Sequence, residues 1–179
     1  MAGGAGGSGG GGGQEEMADL KDAKEATKLR TLNLGAGNRL EEGATNHDRI
    51  AHRPEIDAVW DLDIVPWPWG PGSFDRIIAR NVLEHLILTL VESLNECWRI
   101  LAPGGELHFK GPHWRHENAY ADPTHRWRYT LHSFDYFDPE TALGREYTYY
   151  TQFKWKLLRG PKTNEPVRSS VYVTLGVRK

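Results

Sequence analysis

The sequence predicts an α/β fold: a mostly parallel sheet with helices on both faces and an antiparallel strand pair at its C-terminal end. Three observations carry this. A short apolar strand, Leu32-Asn33-Leu34, runs straight into Gly35-Ala36-Gly37, the strand-to-turn junction of nucleotide-binding α/β proteins. Farther on come an apolar run from Phe74 to Ala79, helical periodicity from Val82 to Leu101, the breaker Pro103-Gly104-Gly105 and a strand from Glu106 to Lys110. That is the strand, helix, strand order of a parallel sheet. Near the end Phe153, Trp155 and Leu157 alternate, as do Val171, Val173, Leu175 and Val177, which suits two half-buried antiparallel strands around the polar, turn-like stretch Lys162 to Pro166.

In chain order, residues 1–13 are almost wholly glycine, a composition that loses much entropy on ordering and buries nothing in return. Gln14 to Lys28 is densely charged, with Met17 and Leu20 at i, i+3 suggesting a marginal helix. Residues 1–28 are therefore expected to form a flexible tail ahead of one domain spanning 29–179. After the glycine turn, Asn38 to Glu42 has room for about one turn, ended by Gly43. Asp57 to Asp63 reads as a short strand that places Asp61 and Asp63 on one face, closed by the stiff Pro66-Trp67-Pro68-Trp69-Gly70-Pro71-Gly72 connection. Phe74 to Ala79 suits a strand covered on both faces, and Glu84 and His85 are expected to begin the following helix.

Composition narrows the partners. A chain of 179 residues suffices for one domain with a sizeable core. The formal charge of -2 supplies no global field for nucleic acid or an anionic membrane, so such a partner would need a local patch. No apolar run approaches the roughly 20 residues that cross a bilayer, and nothing resembles a signal peptide. The single cysteine, Cys97, fits a reducing, cytoplasmic setting, and its place in an apolar helical pattern suits packing.

The glycine turn points to a nucleoside. Without Cβ atoms, a Gly-x-Gly backbone lets a ligand lie close, and an acid on the next strand can meet a sugar diol. A dinucleotide site wants a third glycine and an acid about 20 residues on. Here Leu40 occupies the third position and Asp48 follows Gly37 by only eleven residues. No Lys-Ser/Thr pair follows the glycines, so the turn suits a smaller, zwitterionic nucleoside better than a pyrophosphate.

Taken together, LNLGAGN (32–38), NHD (46–48), WDLDIVPWPWGPGSFD (60–75), NVLEHL (81–86) and ILAPGG (100–105), in that order, resemble the class I S-adenosylmethionine-dependent methyltransferases, in particular the small bacterial type. The similarity covers about residues 31–137 and implies a Rossmann-like fold and S-adenosylmethionine as cofactor. By that resemblance Gly35, Ala36, Gly37 and Asn38 pass beneath the methionine part. Asp48 holds the ribose hydroxyls, Asp61 and the backbone of Leu62 meet the adenine, and Asn81 lines the pocket. Two positions depart from the family pattern: Asn33 replaces an acid before the glycines, and Asn46-His47 replaces apolar residues in the second strand.

Residues 111–146 are expected to form a substrate lid, since they follow the carboxyl end of a strand, the ligand-binding edge of open α/β sheets. The segment 111–136 gathers His113, His116, Asp122, His125, Trp114, Trp127 and Tyr129. A metal site from His113, His116, His125 and Asp122 matches no standard zinc spacing, and no metal is assigned. Arg115, Arg126 and Arg128 among aromatics suggest a nucleic-acid surface, partly cancelled by Glu117, Asp122, Asp135 and Asp138. The favoured reading gives the lid acid/base work, with His113 and His125 as bases and Asp122 as an orienting or alternative base. The expected acceptor is a small molecule. An RNA-directed enzyme and a non-catalytic cofactor-binding or interaction module are the alternatives.

Overall fold

The structure, a computed structural model, describes residue 1 and residues 29–164 and 168–179. The tail and marginal helix expected over residues 1–28 lie, apart from Met1, outside the described residues. Seven strands form one sheet: β1 (Thr31–Leu34), β2 (Thr45–Asp48), β3 (Ala58–Val59), β4 (Phe74–Arg80), β5 (Leu101–Pro112), β6 (Lys154–Thr163) and β7 (Ser170–Arg178). Their order is β3-β2-β1-β4-β5-β7-β6. The first five pair in parallel, whereas β7 lies antiparallel to both β5 and β6. Chain direction across the sheet reverses between β1 and β4, and the crevice at their carboxyl ends is where ligands bind in sheets of this kind.

The central strands are apolar because both faces are covered. Leu32, Leu34, Ile77, Ala79 and Leu107 have no exposed surface. Three α-helices occur among the described residues: α1 (Leu90–Ile100), α2 (Asn118–Ala121) and α3 (Ala142–Glu146). The connections from β1 to β2, β2 to β3 and β3 to β4 contain none. Helix α1 buries Leu94, Cys97 and Ile100, one stripe of its surface, and burial pushes the Cys97 thiol up. Cys97 is therefore a packing residue.

Three expected boundaries move. The helix expected from Val82 to Leu101 is broken into a 3-10 turn, Leu83–His85, and α1. The side chain of Asp63 accepts from the Ile87 and Leu88 amides at 2.7 and 3.2 Å, and a capping box between Thr89 and Glu92 starts the helix at Leu90. The strand expected from Asp57 to Asp63 shrinks to Ala58–Val59, because Asp61 closes a turn by accepting from the Asp63 and Ile64 amides. Asp61 and Asp63 are thus not strand neighbours on one face. Pro103-Gly104-Gly105 does not separate a helix from a strand; it lies in a bulge inside β5, between the pairings Phe74 with Leu101 and Arg76 with Glu106.

The tryptophan-proline connection is buried in the fold. Trp67 is 2% exposed, its indole N–H donates to the Leu62 carbonyl, and its backbone N–H donates to Glu96 of α1. Arg99 of the same helix donates to the Trp67 and Trp69 carbonyls. The segment seats the loop carrying Asp61 and Leu62 against α1.

Candidate cofactor site and lid

The glycine turn is held from the β2 side. Gly35 has φ +58°, and a Cβ there would meet Val82 Cγ2 at 2.5 Å, so this position admits only glycine. Gly37 has φ +50° with open space where its Cβ would be, and its N–H donates to Asp48 Oδ2 at 2.8 Å. The Ala36 N–H donates to the His47 carbonyl at 2.8 Å. His47 is buried. Its Nε2–H donates to the Trp60 carbonyl at 3.0 Å and its Nδ1 accepts from the Gly35 N–H at 3.4 Å. Both bonds require a neutral ring, and burial lowers the His47 pKa against the weaker pull of Trp60 and Asp48.

The two departures from the family pattern explain each other. Asn33 and Asn46 are register partners on β1 and β2, and the Asn33 amide donates to Asn46 Oδ1 at 2.9 Å and to the Arg39 carbonyl at 2.9 Å. Asn46 Oδ1 also accepts from the Glu41 N–H, and Asn46 Nδ2 donates to the Glu41 carbonyl. This buried amide pair closes the loop that follows the glycines, which helps explain why a loop without a helix can connect β1 to β2.

A cavity of about 140 Å³ opens beside the turn, walled by Gly35, His47, Asp48, Arg49, Trp60, Asp61, Leu62, Asp63, Val82, His85 and Leu86. Of the residues expected to hold the cofactor, Gly35, Asp48, Asp61 and Leu62 meet there. Ala36, Gly37, Asn38 and Asn81 are not in its walls; Asn81 ends β4 with φ +54° and donates its N–H to the Lys110 carbonyl. Arg49 and Asp61 pair at 3.0 Å, with the Arg49 side chain three-quarters exposed. Such an exposed pair is worth about 0–1 kcal/mol, so it adds little rigidity to the cavity wall.

His85, on the cavity wall, meets the segment that carries Asp122, Thr124 and His125. Its ring meets that of His125 edge-on at 4.7 Å between centroids. Thr124 donates its hydroxyl proton to Asp122 Oδ1 at 2.7 Å, so His85 Nδ1 must be the donor in its 2.7 Å bond to Thr124 Oγ1, leaving Nε2 as a bare lone pair. The Arg126–Trp127 segment is clamped onto the 3-10 turn. The Glu84 carbonyl accepts from the Arg126 and Trp127 N–H groups, and the Trp127 indole donates to the Leu86 and Leu88 carbonyls. Glu84 is wholly buried with neither carboxylate oxygen bonded, and burial raises its pKa to about 7.

Among the three expected lid bases, His125 and Asp122 thus meet at the His85 end of the cavity. His113 is held elsewhere: it is 5% exposed, bridges Tyr129 in a parallel ladder and donates its N–H to the Ser169 carbonyl. Among the cations of the lid, Arg115 lies over Trp114 and Arg128 over Tyr120. The site residues that the sequence-based assignment leaves out are Glu84, His85 and Thr124; the signal for them is NVLEHL (81–86) together with Asp122-Pro123-Thr124-His125, two stretches about forty residues apart.

Residues 7–109, more than half of the chain, match the family described as methyltransferase domain. The chain belongs to the class I S-adenosylmethionine-dependent methyltransferases. No curated protein matches the sequence. Among solved structures, the CurJ carbon methyltransferase is similar with 18% identity and a TM-score of 0.55, over 89% of this chain and 52% of its own; this methyltransferase domain therefore spans about half the CurJ chain. A SAM-dependent methyltransferase from Archaeoglobus fulgidus aligns with 14% identity over 91% of this chain and 93% of its own, TM-score 0.54. The Burkholderia thailandensis 1,6-didemethyltoxoflavin-N1-methyltransferase aligns with 16% identity over 92% and 77%, TM-score 0.54. At these identities the shared property is the fold.

The family's cofactor is S-adenosylmethionine, and the donor set at the cavity fits it. The Gly35 backbone is bare, Asp48 and Asp61 offer carboxylates to hydroxyl and amine donors, and Leu62, Val82 and Leu86 supply apolar wall for a base. No helix among the described residues is long and apolar enough to cross a membrane.

Proposed function

We propose that this methyltransferase domain transfers the activated methyl group of S-adenosylmethionine to a small-molecule acceptor, which binds where the cavity meets the lid. The observation that carries the reading is that one cavity has Gly35, Asp48, Asp61 and Leu62 along its wall and His85, with its bare Nε2, in the same wall.

In this reading Asp48 accepts the ribose hydroxyls, Asp61 and the Leu62 backbone meet the adenine, and the turn 35–38 passes under the methionine part, with Asn81 at the rim. The cofactor supplies a methyl group already activated on sulfur. The protein's task is then alignment, which can supply about 7 to 11 kcal/mol of the barrier. A hydroxyl acceptor would have to lose its proton as it is methylated, and an ammonium before it can be, so a base of this chain is needed beside the acceptor. His125 and Glu84 are the groups beside His85 placed to receive that proton. Asp122 acts through Thr124, orienting the His85 ring. His113, buried and bridged to Tyr129, lies outside the cavity wall and is read as support for its segment.

Calorimetry with S-adenosylmethionine and, separately, NAD tests the cofactor assignment. Binding of the first alone is expected, followed in an acceptor screen by acceptor-dependent release of S-adenosylhomocysteine. Release driven by RNA and lost with added salt would overturn the small-molecule assignment. Binding without release to any acceptor would mark a non-catalytic module.

A further inference from the structure

We propose that Glu84, His85 and His125 form a binding site for one divalent transition-metal ion of the zinc class, at the lid end of the cavity. Any role of the ion in methyl transfer rests on the reading above, whereas its binding does not.

The three donors come from two segments that the fold clamps together, and their ligand atoms all lie within 4.8 Å of one another. A tetrahedral site with bonds of about 2.1 Å has edges of about 3.4 Å, so closing this one takes side-chain rotation of about 1 Å. Glu84 has no exposed surface and neither of its oxygens has a partner; the Nδ1 atom of His125 is likewise buried and unpartnered. A charged carboxylate left unpaired in the interior is costly; it either takes up a proton or pairs with a cation, and two imidazole nitrogens stand beside it to share one. Lys110, the cation whose field reaches Glu84, forms no hydrogen bond with it and lies over the Tyr172 ring.

His85 is already arranged as a ligand. Its Nδ1–H is committed to Thr124, which is committed to Asp122, and this fixes the tautomer with the Nε2 lone pair free. Metal-bound histidines are oriented by partners of this kind on the ring nitrogen away from the metal. Backbone bonds from Arg126 and Trp127 to the Glu84 carbonyl hold His125 beside Glu84, so the donor set is positioned before any ion arrives. Two imidazoles and one carboxylate favour zinc and its first-row neighbours over magnesium or calcium, which prefer oxygen alone. Three protein ligands leave a coordination position open, and His85 puts that position beside the cavity.

The test is a zinc titration of the full chain, stripped with a chelator, in competition with a chromophoric chelator. One Zn²⁺ per chain is expected. Glu84→Gln and His125→Gln should each weaken binding by about tenfold or more. His132→Gln, at a histidine paired with Asp135 away from the cluster, should leave it unchanged. Glu84→Gln keeps the side-chain volume and breaks no hydrogen bond, and unchanged circular dichroism verifies that it is folded. No stoichiometric zinc, zinc binding indifferent to both cluster variants, or displacement by excess magnesium would each overturn the proposal. Calorimetry with S-adenosylmethionine on the same samples keeps the two readings apart. Heat without zinc binding sinks this proposal alone, and zinc binding without heat sinks the methyl-transfer reading alone.

Discussion

The two ends of the cavity differ in how their buried polar groups are satisfied. At the glycine turn, the amides of Gly35, Ala36 and Gly37, the side chains of Asn33 and Asn46 and both ring nitrogens of His47 all have protein partners. At the lid, both Glu84 oxygens, His125 Nδ1 and the Tyr129 hydroxyl are buried with none. Native interiors rarely leave such groups unpaired, and where they do the exception calls for an explanation. The first end is shaped by its own hydrogen bonds and presents a finished surface. The second is shaped by backbone clamps, and these side-chain atoms are left without a protein partner.

The largest expected loss comes from perturbing the finished end. Gly35→Ala forces a Cβ to within 2.5 Å of Val82 on a left-handed backbone. Overpacking and backbone strain together should cost about 3 kcal/mol, read in urea unfolding. Gly37→Ala, with φ +50° but open space, carries only the backbone penalty, about 1 kcal/mol. Adding Val82→Ala should rescue much of the first variant and none of the second. Equal losses at the two glycines would mean that the turn is not packed against Val82.

Next in size is Asn46→Ala, which removes the acceptor of the Asn33 amide and of the Glu41 N–H in a buried setting. A loss of about 2 kcal/mol is expected. In a double-mutant cycle with Asn33→Ala the two should be clearly non-additive, because the second change removes a donor that the first has already deprived of one of its two partners. Additivity would break the claim that this pair closes the β1–β2 loop.

How much of this was legible follows from the range of each interaction. The glycine turn, the parallel strands and the alternating C-terminal pair are local patterns, and the sequence carries them openly. The split of the expected helix has a local signal too, Thr89 to Glu92, but unbroken apolar periodicity masked it, and the Asp63 cap on Ile87 and Leu88 arises only in three dimensions. Asn33 and Asn46 read as defects until β1 and β2 are placed in register, where they become partners. Glu84 and His85 lie about forty residues from His125, and no spacing rule links donors brought together by a clamp. The metal set weighed and set aside, His113, His116, His125 and Asp122, lies within one segment, whereas the donors of the proposed site come from two.

At the unfinished end, single bonds should matter less to stability and more to motion. Trp127→Phe removes the indole donor shared by the Leu86 and Leu88 carbonyls while keeping most of the packing. About 1 kcal/mol is expected. Amide exchange at Arg126 and Trp127 should quicken well beyond what that loss implies globally, because this segment can then lift from the Glu84 carbonyl without the domain unfolding. Exchange that follows global stability alone would mean that lid and core open as one unit, and the contrast between the two ends would fail.

The smallest effect is a pH dependence confined to the finished end. His47 must stay neutral, since its Nδ1 accepts from the Gly35 N–H while its Nε2–H donates to Trp60. Burial holds its folded pKa below the unfolded value of about 6.5. Above about pH 6.5 both states are neutral and the ring's contribution is complete. As the pH falls through the interval down to the folded pKa, the unfolded state binds the proton first and stability declines. Asp48 and the Trp60 carbonyl favour the charged ring but are outweighed by burial. Urea unfolding at about pH 8 and about pH 5.5 should therefore show a larger loss for the wild type than for His47→Gln, which cannot titrate. Equal losses in the two proteins would mean that the ring is not held neutral, and the glycine turn would lose its claim to be the self-sufficient end of the cavity.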